Sequence, residues 1–159
     1  MKIDPASARA LQAVIERDLE AITRLDARLA NFNPEGSSDD QRDAAAYQLH
    51  NIYNALENSF IQVSRTFENH ITQPESWHRE LLEKMFLDLS PIRPALVPDS
   101  CRALLRDLMS FRHVFRHAYD FEIDTAKLCA LQQRWNERKR LVLEALNTFA
   151  HALHQASQA

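Results

Sequence analysis

Glycine is almost missing from this chain: Gly36 is the single one among 159 residues. Sheets joined by tight turns draw on glycine for positive φ, so its scarcity argues against all-β and α/β folds. The same scarcity excludes glycine-rich phosphate loops, because GxGxxG and the P-loop each need at least two glycines. Cysteine is nearly as scarce. Cys101 and Cys129, without CxxC spacing, exclude a disulfide framework and a four-cysteine zinc site. No apolar run approaches the roughly 18 to 20 residues of a membrane span, and the opening MKIDPASARALQ carries no signal-peptide core. The expectation is a protein of the reducing cytoplasm with no membrane partner.

What is present is ordinary in bulk and uneven in detail. Apolar residues make up 45% and charged residues 26%, enough to build one core within a single domain spanning 1–159. The net charge is −3, yet residues 1–70 hold seven Lys and Arg against eleven Asp and Glu, whereas residues 125–159 hold five against two. Arginine outnumbers lysine fifteen to four, which suits bidentate contact with phosphate or carboxylate.

Helical spacing dominates the chain. Asp4-Pro5 reads as a cap followed by proline at the first helical position. Leu11, Val14, Ile15, Leu19, Ile22, Leu25 and Leu29 then recur at intervals of three and four, predicting a helix over about 5–31. Asn33 to Ser38 holds Pro34 and Gly36 and is a loop. A second helix from near Asp39 carries Leu49, Ile52, Tyr53, Leu56, Phe60, Val63, Phe67 and Ile71 on one stripe, roughly 32 residues and about 48 Å long. Trp77, Leu81, Leu82, Met85 and Phe86 mark a short third helix ending near Leu89. Pro91, Pro94 and Pro98 then predict a stiff extended connection. Asp99 or Ser100 would cap a fourth helix through Leu104, Leu105, Leu108, Phe111 and Phe115, which ends at the alternating Tyr119–Asp124 stretch. Asp124 would cap a last helix that frays by Gln155. The fold class is all-α: an up-and-down bundle of four long helices and one short one.

The densest polar cluster lies at the end of the fourth helix. From Arg102 to Tyr119 there are four arginines and one acid, Asp107, a balance that attracts phosphate. A solvated helix face with cations at its negative end explains the same residues. Arg112 and Arg116 are i,i+4 neighbours, as are His113 and His117. Surrounding positive charge favours a neutral His117, which can act as a base, while arginine holds a phosphoryl oxygen with paired hydrogen bonds. Together these groups suffice to cleave RNA by attack of its own 2′-hydroxyl, with no metal and no cofactor. Residues five apart on an ideal helix diverge by about 140°, so Arg112 and His117 converge only if the helix loosens at His117 or if a homodimer sets two copies face to face.

Arg112-His113-Val114-Phe115-Arg116-His117-Ala118-Tyr119 resembles the RxxxxHxY signature of HEPN-superfamily ribonuclease toxins of the HepT type. Leu49-His50-Asn51-Ile52-Tyr53-Asn54-Ala55-Leu56-Glu57 and Ser76-Trp77-His78-Arg79-Glu80-Leu81-Leu82 resemble one HepT-like branch in order and spacing, over about residues 40–130. The resemblance implies a HEPN-like bundle that dimerises, with Arg112 and His117 as the ribonuclease residues. It also implies a minimal nucleotidyltransferase antitoxin that attaches AMP to Tyr119. His113 stands where the superfamily commonly has asparagine or aspartate; it is a candidate proton donor to the leaving oxygen. Arg106 and Arg116 are candidates for contact with the RNA backbone. His50, Tyr53, Asn54 and Glu57 of the second helix, with His78 of the third, could form a polar layer behind the motif, although Tyr53 also fits the core.

Other constellations are weaker. Glu75 and His78 match the ExxH of di-iron bundles without a second copy of the motif, and His151 and His154 lie in the tail, so no metal site is expected. Arg134, Arg138, Lys139 and Arg140 read first as a solvated face. The alternatives to a toxin are a non-catalytic HEPN bundle that docks a nucleotidyltransferase and binds nucleotide, and a plain helical adaptor.

Overall fold

The computed structural model of the chain describes residues 1–34, 36–68, 77–117 and 124–158. Five helices account for most of them: α1 (Pro5–Leu29), α2 (Asp39–Phe67), α3 (Trp77–Met85), α4 (Arg102–His117) and α5 (Thr125–Ala156), with a 3₁₀ turn at Asp99–Cys101 before α4. Among the described residues there is no strand, only an isolated bridge between Leu89 and Arg93. The all-α bundle of four long helices and a short one is therefore the architecture.

Local chemistry explains most of the boundaries. The Asp4 carboxylate accepts from the backbone of Ala6 and Ser7, with Pro5 following it where no amide hydrogen is needed. Ser38 and Gln41 exchange side-chain and backbone hydrogen bonds in a capping box that starts α2. Gly36 just before it takes φ of +72°, a left-handed turn that other side chains resist. Asp124 caps α5 through the Lys127 amide.

Three expectations need correction. The fourth helix is not capped by Asp99 or Ser100. Pro98 occupies the cap position and the chain enters through the 3₁₀ turn, driven by burial of Cys101, while the Asp99 carboxylate accepts from Arg102 instead. The third helix stops at Met85 rather than near Leu89, because the Met85 carbonyl accepts from Leu96 and Val97 as the chain returns. The proline-rich connection is not simply extended. It doubles back through a cis Ser90–Pro91 bond, with the Leu89 amide donating to the Arg93 carbonyl. The second helix is described to Phe67; Ile71 lies outside the described residues.

Helix α1 packs along α2 and α5, while α4 lies against α2 with α3 bridging the two. Their shared core runs from Ile15 and Ile22 through Leu49, Leu56 and Phe60 to Trp135 and Leu146. The acids at its edges are paired: Asp18 accepts from Asn58 and Ser59, and the partly buried Asp26 accepts from the Trp135 indole and Lys139. Only the first half of α4 belongs to this core. Leu104, Leu105 and Leu108 are buried, whereas none of the described residues from Met109 to Arg116 is. The helix thus carries its polar cluster out of the core along the flank of α2.

Candidate active site on the flank of α2 and α4

Helices α2 and α4 run antiparallel where they meet, since Arg112 reaches Asn54 and Glu57 while Phe115 reaches His50 one turn back along α2. This register turns Arg112 inward, and its side chain is 13% exposed. Its Nε donates to Asn54 Oδ1 at 2.5 Å and its Nη2 lies 3.1 Å from Glu57 Oε2. Those two nitrogens form the side edge of the guanidinium. The end edge, comprising Nη1 and the second proton of Nη2, has no partner among the described residues. An arginine held along one edge and open along the other is a preset fork for a second oxyanion.

Glu57 is the hub of the arrangement. It is buried, and its other oxygen, Oε1, lies 2.5 Å from His78 Nδ1 on α3. The His78 ring stacks on Trp77 with centroids 3.7 Å apart, which fixes the imidazole from behind. A buried carboxylate is tolerated here because each oxygen faces a donor from a different helix. The layer behind the motif therefore exists in space: Asn54, Glu57 and His78 meet Arg112 directly, and His50 joins through Asn54, whose Nδ2 lies 2.9 Å from His50 Nε2. Burial, then the charges of Arg112 and Arg116, hold His50 below the ordinary histidine range, so it is neutral near pH 7.

Tyr53 lies near the charges of this layer without hydrogen-bonding to it. It is a fully buried core residue, and its hydroxyl has no partner among the described residues. Burial, with the Glu57 carboxylate adding to it and Arg112 opposing, pushes the phenol far up and keeps it protonated. Arg116 and His113 are exposed on α4, and Arg106 pairs with Glu83 of α3 at 2.8 Å. The side chain of His117 and the whole of Tyr119 lie outside the described residues, as does Glu75; α4 stays helical through His117.

The remaining cationic run is largely engaged within the fold. Arg134 pairs with Asp107, Lys139 with Asp26 and Arg140 with Glu144. His151 and His154 contact glutamines of their own exposed helix end. Among the described residues no three His, Cys, Asp or Glu side chains gather at metal-ligand geometry, and no helix is long and apolar enough to cross a membrane. What the sequence reading lacked was the partnership of His78 with Glu57. The two lie 21 residues apart, on helices separated by a segment that no periodicity links. The spacing of His50, Asn54 and Glu57 on one face of α2 was the available signal for the rest.

Comparison with known proteins bears on the same segment. A sequence model of the family described as HepT-like protein matches residues 44–153, from the first turns of α2 to the last turns of α5. No curated protein and no solved structure matches the chain. The matched segment covers well over half of the chain and holds every residue of the cluster around Arg112, while α1 stands outside it. The chain belongs to the HepT-like protein family.

Proposed function

We propose that this protein is a HEPN-type endoribonuclease toxin that cleaves RNA without a metal ion through Arg112 and His117. The observation that carries the reading is the half-engaged guanidinium of Arg112. Glu57 and Asn54 fix its side edge, and the end edge remains for a phosphate. His117 takes the proton of a ribose 2′-hydroxyl, and the 2′-oxygen attacks the adjacent phosphorus. The bond from phosphorus to the 5′-oxygen breaks. That oxygen takes a proton from His113 or from a histidine of a second copy, leaving a 2′,3′-cyclic phosphate and a 5′-hydroxyl. Arg112 stabilises the charge that gathers on the phosphorane oxygens.

Because α4 is helical through His117, positions 112 and 117 of one chain remain about 140° apart around its axis. This supports a homodimer in which the motif of one copy faces that of the other across a cleft. Arg106 and Arg116 would track the RNA backbone. Control by a minimal nucleotidyltransferase that adds AMP to Tyr119 fits the same chemistry, since the new phosphate would compete with RNA for Arg112 and Arg116.

Purified protein incubated with single-stranded RNA in EDTA is expected to leave 2′,3′-cyclic ends. Cleavage that stops in EDTA and returns with a divalent ion overturns the mechanism. Arg112→Ala and His117→Ala should each abolish growth inhibition on expression. Intact mass after co-expression with the nucleotidyltransferase should show added AMP that Tyr119→Phe removes; a silenced but unmodified toxin would mean that inhibition is by binding alone.

A further inference from the structure

We propose that His50 is a positioning residue for Arg112, acting through Asn54, and that it does so only as the neutral imidazole protonated on Nδ1. The consequence for activity rests on the ribonuclease reading above; the hydrogen-bond relay itself does not.

The relay follows from which atoms are able to donate. The oxygen and nitrogen of an asparagine amide are told apart by their partners. Arg112 Nε is a donor and nothing else, so the Asn54 atom 2.5 Å from it is the acceptor Oδ1. That choice turns Asn54 Nδ2 toward His50 Nε2 at 2.9 Å, with Asn51 Oδ1 at 3.4 Å on its other side. Nδ2 in turn only donates, so His50 Nε2 must accept. The ring proton then sits on Nδ1, a buried atom with no partner among the described residues. Phe115 of α4 covers the ring with centroids 4.9 Å apart and holds its plane.

Protonating His50 would put a hydrogen on Nε2 as well, facing the amide donor that it now accepts from. It would also set a third cation beside Arg112 and Arg116, the charged residues of α4 that face it. On its own helix the nearest carboxylate of the cluster, Glu57, is already shared between Arg112 and His78. Asn54 would then turn, and Arg112 would keep only its Glu57 contact, free to pivot about it. A clamp that must meet a phosphorane loses rate when it pivots, even though its charge is unchanged.

The test has two arms. Nitrogen chemical shifts of the His50 ring in the full chain should report the Nδ1–H tautomer at neutral pH, with titration below the ordinary value of 6.5. In Asn54→Ala the Nε2–H tautomer preferred by an unconstrained histidine side chain should return. A wild-type ring protonated on Nε2 overturns the relay whatever the protein's activity. In the kinetic arm, His50→Ala should lower kcat by roughly tenfold with little change in KM. His50→Gln, whose Oε1 can accept from Asn54 but cannot titrate, should keep most of kcat at neutral pH and lose one proton from the acid limb of the pH profile. His50→Ala should add nothing in an Asn54→Ala background; a full further loss there overturns the proposal. Wild-type protein that does not cleave RNA removes the ribonuclease reading and leaves the tautomer measurement to decide the relay alone.

Discussion

Two arginines turn inward from this bundle, and they are used in opposite ways. Arg93 is completely buried and all five of its N–H groups are taken. Nε and Nη2 donate to Glu68 Oε1, Nη2 also to the Lys84 carbonyl, and Nη1 to the carbonyls of Leu87 and Pro94. Arg112 keeps a little exposure and engages one edge only. The first pattern ties the end of α2 to the turn after α3 and has no capacity left for a ligand. The second leaves donors aimed outward from a fixed mount. Saturation, more than burial or charge, separates an arginine that holds the fold from one that can hold a substrate.

Removing each side chain is the harshest way to break this contrast. Arg93→Ala leaves Glu68 with only the more distant Lys84 ammonium and takes the donor from the Leu87 and Pro94 carbonyls, and should lower stability by about 3–5 kcal/mol. Arg112→Ala leaves Glu57 with His78 and should lower it by only about 1–3 kcal/mol. Urea denaturation of the two variants checks the order, and equal losses would dissolve the distinction. In RNA cleavage the ranking should invert, with Arg112→Ala losing about 10²–10³-fold even where it remains folded. Arg112→Lys sharpens the point. A lysine keeps the charge opposite Glu57 but has no second edge, so its melting temperature should stay within a few degrees of wild type while cleavage falls by roughly 100-fold.

How much of this could be read from the chain depends on whether the signal was local. Periodicity gave the helices, and the caps at Asp4 and Asp124 were legible because they act on amides two or three residues away. The cluster around Arg112 was half legible: His50, Asn54 and Glu57 share a face of α2, and Arg112 stood out by charge. Their meeting with His78 was not legible, since it depends on how α3 returns across α2. Arg93 was missed altogether. Its sequence neighbourhood is three prolines, which predicted an extended linker, and nothing local announces that the chain folds back to bury a guanidinium against Glu68.

A gentler perturbation is pH, acting through His50. Its folded form is held below the ordinary histidine value of 6.5, so between that value and its folded one the unfolded chain binds the extra proton. Its contribution to stability is therefore fully present above about pH 6.5 and declines as pH falls through this window. His50→Gln should flatten that part of the stability profile while leaving the Arg93 region untouched. An unchanged profile would place the acid sensitivity elsewhere.

The smallest effects belong to the exposed arginines, which complete the scale that Arg93 begins. Arg106 is about half exposed and already paired with Glu83, while Arg116 is exposed at the end of α4. Neither should matter for stability beyond about 1 kcal/mol, because a surface ion pair gains little in water. Their difference should appear in RNA binding. Each phosphate neutralised on a single strand adds about 0.7 to the slope of log affinity against log salt. Arg116→Ala should lower that slope by about this amount. Arg106→Ala should lower it less, since Arg106 must leave Glu83 before it can serve a phosphate. Glu83→Gln then acts as the reciprocal check: it should release Arg106 to the strand and raise the slope, while Arg102 stays with Asp99. Titrations of an uncleavable 2′-deoxy oligonucleotide at several salt concentrations measure all three variants. If Arg106→Ala and Arg116→Ala shift the slope equally, engagement by Glu83 has no bearing on which arginines the RNA can use.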